Sequence, residues 1–173
     1  MDLGNMSQDE KKDLAEDIDT PEDVLWELAQ EGNYWVRSSV ADNPSTPEDL
    51  LRELAKDDNG GIRANVAFNG NTPSDILGDL AKDKDWNVRL YVAENPSTPE
   101  DILRELAKDE DWSVRSYVAE HPKASSKILV MMFEYEKSLR EPNELVIRAL
   151  YENENLPAFV KRVIETLFGE IIA

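Results

Sequence analysis

Three short markers recur at a step of 26 residues, and that period constrains the fold of this chain more than any other feature. Thr-Pro stands at Thr20-Pro21, Thr46-Pro47, Thr72-Pro73 and Thr98-Pro99. A β-branched residue followed by arginine stands at Val36-Arg37, Ile62-Arg63, Val88-Arg89 and Val114-Arg115. The third marker is Asn43, Asn69, Asn95 and His121, followed by Pro44, Gly70, Pro96 and Pro122. A fixed period of this length is the signature of stacked supersecondary units. Within each unit the apolar residues have helical spacing, as in Leu50, Leu51, Leu54, Ala55 and Ile102, Leu103, Leu106, Ala107. Val88 and Val92 mark a second, preceding helix, with Ala93 on its flank. One pair of short helices cannot bury such stripes alone, so the units must stack. The expected fold is an all-α solenoid of two-helix repeats without strands.

The helix boundaries are legible too. Asn33, Asn59, Asp85 and Asp111 are good N-caps for the first helix of each unit. The Asn/His marker closes that helix, through a left-handed asparagine and the Pro or Gly behind it. Thr-Pro-Glu-Asp opens the second helix, with threonine as cap, proline at the first helical position and acids at the positive end of the dipole. The chain, residues 1–173, reads as one domain in three parts. Residues 7–32 form a degenerate first unit, with Ser7 and Glu10 as a capping box. Residues 33–123 are the regular repeats, and residues 124–173 form divergent capping helices. There Arg148, Asn153 and Pro157 repeat the markers after a step lengthened by about six residues, stretching the helix near 128–139. Val130 and Met131 replace the polar Arg104 and Glu105, and a last helix, Ala158–Ile172, is expected to cover them.

Composition narrows the function. Charged residues make up 32% and hydrophobic ones 40%, a globular balance. A formal charge of −18 repels phosphate backbones, so nucleic acid is disfavoured as a partner, and it keeps an elongated molecule soluble. With no cysteine there is no disulfide, thiol nucleophile or iron–sulfur ligand. No apolar run approaches the ~20 residues of a membrane-spanning helix, and the N-terminus lacks the pattern of a signal peptide. The expectation is a cytoplasmic protein without a membrane anchor.

The unit Trp86-x-Val88-Arg89-x-x-Val92-Ala93-x-Asn95-Pro96-x-Thr98-Pro99-x-x-Ile102-Leu103-x-x-Leu106-Ala107 resembles the leucine-rich repeat variant family. The likeness runs over residues 10–123 and is weak beyond. It implies a right-handed α/α superhelix of alternating α and 3-10 helices. HEAT-like repeats, which share the Asp-x-x-Val-Arg pattern, are its near neighbours. Some members of the family carry a cysteine-rich cluster-binding segment. This chain has no cysteine, so no cluster or other cofactor is carried over, and the family implies no common activity.

Most conspicuous polar residues have a structural reading. Arg37, Arg63, Arg89, Arg115 and Arg148 flank the apolar stripe, where a guanidinium suits carboxylates and carbonyls of an adjacent unit better than a free anion. His121 is the single histidine, with no partner for metal binding or base catalysis. Asp83/Asp85 and Asp109/Asp111 lack the glycine turn and distal glutamate of a calcium loop. Trp86 and Trp112 are expected to staple adjacent units, and Tyr91 and Tyr117 to be half-buried.

Two features point to a partner. On the second helices Arg52, Lys56, Lys82, Arg104 and Lys108 form an outward stripe, with Trp26 in the register of Arg52. The other is the second regular unit, where four of seven glycines fall within residues 60–78, predicting a soft segment. Phe68 takes the outward position of Asp42, Glu94 and Glu120, and with Leu90 it either forms an exposed patch or folds over the glycine turn. Together these predict a non-enzymatic scaffold, without catalytic or metal residues, for a protein or extended peptide of basic character. Its rivals are a HEAT-like nucleic-acid or lesion-binding module, and an enzyme's accessory module with a site in the C-terminal part. The expected state is a monomer, with the C-terminal helices as the place for any self-association.

Overall fold

The computed structural model describes residues 3–172. After a 3-10 turn at Leu3–Asn5, the regular structure is α-helical, with no strand among the described residues. The helices are α1 (Gln8–Glu16), α2 (Glu22–Glu31), α3 (Tyr34–Asp42), α4 (Glu48–Leu54), α5 (Gly60–Phe68), α6 (Ser74–Leu80), α7 (Trp86–Glu94), α8 (Glu100–Leu106), α9 (Trp112–Glu120), α10 (Ser126–Ser138), α11 (Glu144–Glu152) and α12 (Ala158–Ile172). They fall into two compact units, Met1–Ser97 and Thr98–Ala173. In the first, α3 packs on α1, α5 on α3 and α7 on α5, while α2, α4 and α6 lie against this layer. In the second, α11 packs on α9, α8 and α10 lie against α9, and α12 packs on α11. This is the α-solenoid that the period predicts.

The apolar stripes make the core: Val36, Val40, Leu51, Ile62, Val66, Leu77, Val88 and Val92 are fully buried. Such contacts carry most of the stabilisation but are non-directional. Register comes from the polar markers. Asn69 Nδ2 donates to the carbonyls of Ala41 and Asn43, at 3.0 Å each, one unit back. Its Oδ1 accepts the N–H of Asn71 at 2.9 Å. Asn43 does the same to Ala15, Asp17 and Ser45. Asn95 repeats it on Ala67, Asn69 and Ser97. In the second unit Asn153 reaches Ala119, and His121 uses Nδ1 to accept from Lys123. The left-handed closure expected of these asparagines does not occur. Asn69 has φ −61 and ψ 119, and no described residue has positive φ. An extended backbone aims the amide at the preceding unit, and that aim is the reason for the asparagine.

The threonines also differ from expectation. The N-caps of α2, α4, α6 and α8 are the prolines, without a side-chain cap. Thr20, Thr46 and Thr72 instead donate backward to Leu14, Val40 and Val66, each six residues earlier. They satisfy carbonyls left open at the ends of the first helices. The expected caps at Asn33, Asn59, Asp85 and Asp111 are formed, as is the Ser7–Glu10 box. The second helices α4, α6 and α8 are seven-residue α-helices rather than 3-10 helices, with bonds such as Leu51 N–H to Pro47 O and Ala55 N–H to Leu51 O.

Arg37 and Arg63 each tie two turns together. Arg63 Nη1 donates to Asp57 and Asp58 O before its own helix. Its Nε and Nη2 grip Asp83, 20 residues on, at 2.6 and 2.8 Å. Arg37 does likewise with Gly32 O and Asp57. Asp57 and Asp83 also accept the N–H groups of Asn59 and Asp85, so the Asp-x-Asp pairs are turn and cap. In the second unit Arg115 pairs with the fully buried Glu136, whose other oxygen accepts Asn143 N–H at 3.0 Å. Here the lengthened step is absorbed, because the carboxylate's amide partner lies seven residues away instead of two. The last arginine, Arg148, is exposed and donates to Ile171 O.

Two packing expectations change. Helix α12 packs on α11, leaving Val130 and Met131 half-buried and Phe159, Val163 and Leu167 exposed along one edge. Trp86 and Trp112 are 46% and 42% exposed, too open to staple neighbours. The two glycines that open α5 stand close to side chains of the neighbouring first helices. A Cβ on Gly61 would stand 3.0 Å from the Tyr34 hydroxyl, and one on Gly60 would collide with the Asp85 carboxylate.

Asn69→Ala should strand two buried carbonyls and one N–H, lowering stability by about 3 kcal/mol. The readout is a lower urea midpoint at unchanged m. A second expectation concerns acid. The Arg63 hydrogen bond lowers the pKa of Asp83 below its ordinary 3.8. A depressed carboxylate contributes stability that is present above the unfolded value and is lost as pH falls through the folded one. Asp83→Asn should therefore be less stable than the parent at pH 6, and the gap should close below pH 3.8; a constant gap would contradict this.

Candidate functional site

The second-helix stripe is largely neutralised. Arg52 pairs with Asp75 at 2.6 Å, which raises its pKa and lowers that of Asp75. Lys56 lies 3.5 Å from Glu53, and in the second unit Arg104 pairs with Glu100 at 2.8 Å. Lys82 and Lys108 are exposed. Trp26 is half-buried on α2 instead of standing free. Leu90 is buried at 8% exposure, so the anticipated Phe68–Leu90 patch does not form. The α7 backbone turns Leu90 into the core and presents Tyr91, against which Phe68 packs edge-on at 5.6 Å. Phe68 itself stays 47% exposed.

The more open aromatic surface lies on the first helices of the Met1–Ser97 unit. Trp35 on α3 is 62% exposed, and its ring meets Tyr34 edge-on at 4.9 Å. Beside it is a hollow of about 210 Å³ between α1, α3 and α5. Ser38, Ser39 and Asn65 line it, with Asp42 and the Lys12–Glu16 pair. Asn65 Nδ2 bonds the carbonyl and hydroxyl of Ser38, fixing that wall. Glu16 accepts from Lys12 and from Ser39 Oγ, and the Lys12 bond holds its pKa below the ordinary carboxylate value. The hollow exists because of one register. Ser39 and Asn65 occupy the row in which Tyr91 and Tyr117 follow at 26-residue steps, so small side chains stand where phenol rings do elsewhere.

Charge is segregated on the same layer. Glu16, Asp42 and Glu94 are the last residues of α1, α3 and α7, and no first helix has a basic residue in its last turn. In the second unit Glu120 and Glu152 end α9 and α11. Carboxylates at a helix C-terminus oppose the dipole, at about 0.3–1 kcal/mol each. The pattern therefore runs against local stability. Another pocket, of about 370 Å³, is lined by Lys56, Asp57, Asp58, Arg63, Asp83 and Lys84, and its Asp57 and Asp83 carboxylates are already engaged by the arginine clamps. Among the described residues no group of three His, Cys, Asp or Glu side chains could hold a metal ion. Nor is any described helix long and apolar enough to cross a membrane.

Trp35 escapes sequence reasoning because it belongs to none of the three repeated markers. The signal was in the columns, where Trp35 is followed by Gly61, Asn87 and Ser113.

The family model described as leucine rich repeat variant matches residues 86–111, one full period beginning at Trp86. No curated protein matches the chain.

An exposed indole among carboxylates should be quenched unequally by ions. Caesium should quench Trp fluorescence more strongly than iodide at equal ionic strength, because the local field concentrates cations. Trp35→Phe should remove a larger share of the caesium-accessible emission than Trp26→Phe.

Proposed function

We propose that the chain is a repeat scaffold that binds a basic protein or extended peptide along its first-helix layer, acting by recognition rather than chemistry. The observation that carries this reading is the row of carboxylates ending the first helices, interrupted by the exposed Phe68 at the end of α5, with Trp35 open near the start of α3. Stacked first helices offer a surface whose outward residues vary while the clamps and core stay constant. On it, Trp35 and Phe68 are large anchors of the kind that dominate interface energies. Carboxylates placed against the helix dipole reduce stability and repel one another, and a cationic partner relieves both penalties. The formal charge of −18 steers such a partner in from solution. The alignment of one repeat with a helical repeat family agrees with a binding role. The one histidine supports recognition too, since His121 is buried and its Nδ1 accepts a backbone amide.

Fluorescence anisotropy with matched arginine-rich and glutamate-rich extended peptides tests the proposal. Binding should be confined to the basic peptide and weaken steeply between 50 and 500 mM salt, as screening shortens to about 4 Å. Trp35→Ala with Phe68→Ala should weaken it by about tenfold or more. Equal affinity for both peptides, or an unaffected double variant, would refute the reading. Asp42→Asn adds a discriminating sign. It should weaken peptide binding while raising stability by about 0.3–1 kcal/mol in urea unfolding.

A further inference from the structure

Resting on the scaffold reading, the geometry points to one particular contact: the hollow between α1, α3 and α5 receives a single arginine side chain of the partner, its guanidinium over the Trp35 ring and beside the Asp42 carboxylate.

Size is the first argument. About 210 Å³ lies below the ~300 Å³ at which clefts for ordinary small ligands begin, and suits one side-chain head group. Charge is the second. The lining holds one ammonium, Lys12, and two carboxylates, Glu16 and Asp42, so one negative charge remains. Lys12 and Glu16 bond each other, which leaves Asp42 as the carboxylate open to a guest. Asp42 is exposed at the end of α3, where neighbouring carbonyls add to its field. A guanidinium entering here leaves the pocket neutral.

The chemistry of the wall is the third argument. An open indole face attracts a cation, and the planar guanidinium suits it better than a compact ammonium does. Tyr34 buttresses Trp35 from the side, and Gly61 leaves room for the Tyr34 hydroxyl, so the indole is held from one flank. Ser39 is the small residue that opens the hollow. A tyrosine in its place, as in two later units, would put a ring where the guest must sit.

n-Butylguanidinium is the probe that tests the pocket without a peptide. In the full chain carrying ¹⁵N-labelled tryptophan, it should shift the Trp35 indole N–H and leave those of Trp26, Trp86 and Trp112 in place. Asp42→Asn should raise the half-saturating concentration about threefold to fivefold, and Ser39→Tyr should abolish the shift. Ser39→Ala, which keeps the hollow open, should retain it and so separates filling from misfolding. Equal shifts at all four indoles, no shift at all, or full binding by Ser39→Tyr would overturn the assignment. A peptide arm separates this failure from failure of the scaffold reading. If an arginine peptide binds but replacing any one arginine by citrulline changes nothing, the pocket is wrong and the scaffold stands. If the butylguanidinium shift is present while no peptide binds, the pocket stands and the scaffold reading falls.

Discussion

A single side-chain amide reaching backward sets the spacing of this molecule. Asn69 bridges two carbonyls of the preceding unit and receives an N–H from its own turn, and Asn43 and Asn95 do the same. Apolar stripes bring helices together but tolerate sliding, since a methyl contact has no preferred partner. A buried carbonyl does. It must find a donor or forfeit the hydrogen bond it had with water. The amide meets that demand only at one offset between units, so the 26-residue period follows from hydrogen-bond satisfaction as much as from packing. Threonine closes the carbonyl that the amide cannot reach, and arginine fastens the turns at the other edge.

These clamps concentrate the structural duties on a few positions per period and leave the outward faces unconstrained. On the first-helix layer that freedom has been used against stability. Acids stand at the negative ends of α1, α3 and α7, and a tryptophan and a phenylalanine lie open to water. Local preference and observed residue disagree there, and such disagreements in proteins gather at functional or strained sites. Two of the second helices, α4 and α8, obey the rules instead: Arg52 and Arg104 sit in their last turns, each bonded to a carboxylate.

Much of the fold was legible because its signals are local. An N-cap such as Asp85 acts on an amide two residues away, and the arginine–carboxylate pairs repeat often enough to betray their partners. The asparagine's position is plain in the sequence but its task is not, because its acceptors lie 26 and 28 residues back and leave no trace nearby. Threonine before proline reads as a cap by habit, yet its hydroxyl points to the helix behind it. The candidate site was the least legible part. Leu90 and Trp26 looked outward by repeat position, but one helical step separates Leu90 from Tyr91, and that step decides which of them meets solvent. Trp35 shows itself only when the repeats are compared column by column.

The joint after α10 carries one more lesson. Glu136 keeps its grip on Arg115 and on the amide that opens α11, although seven residues rather than two separate carboxylate from amide. The stack registers the position of that carboxylate, not the length of chain that follows it. A loop can therefore grow there without the neighbouring helices adjusting. Such joints are natural grafting points, where a new segment can be spliced into a periodic protein and inherit a rigid footing on both sides.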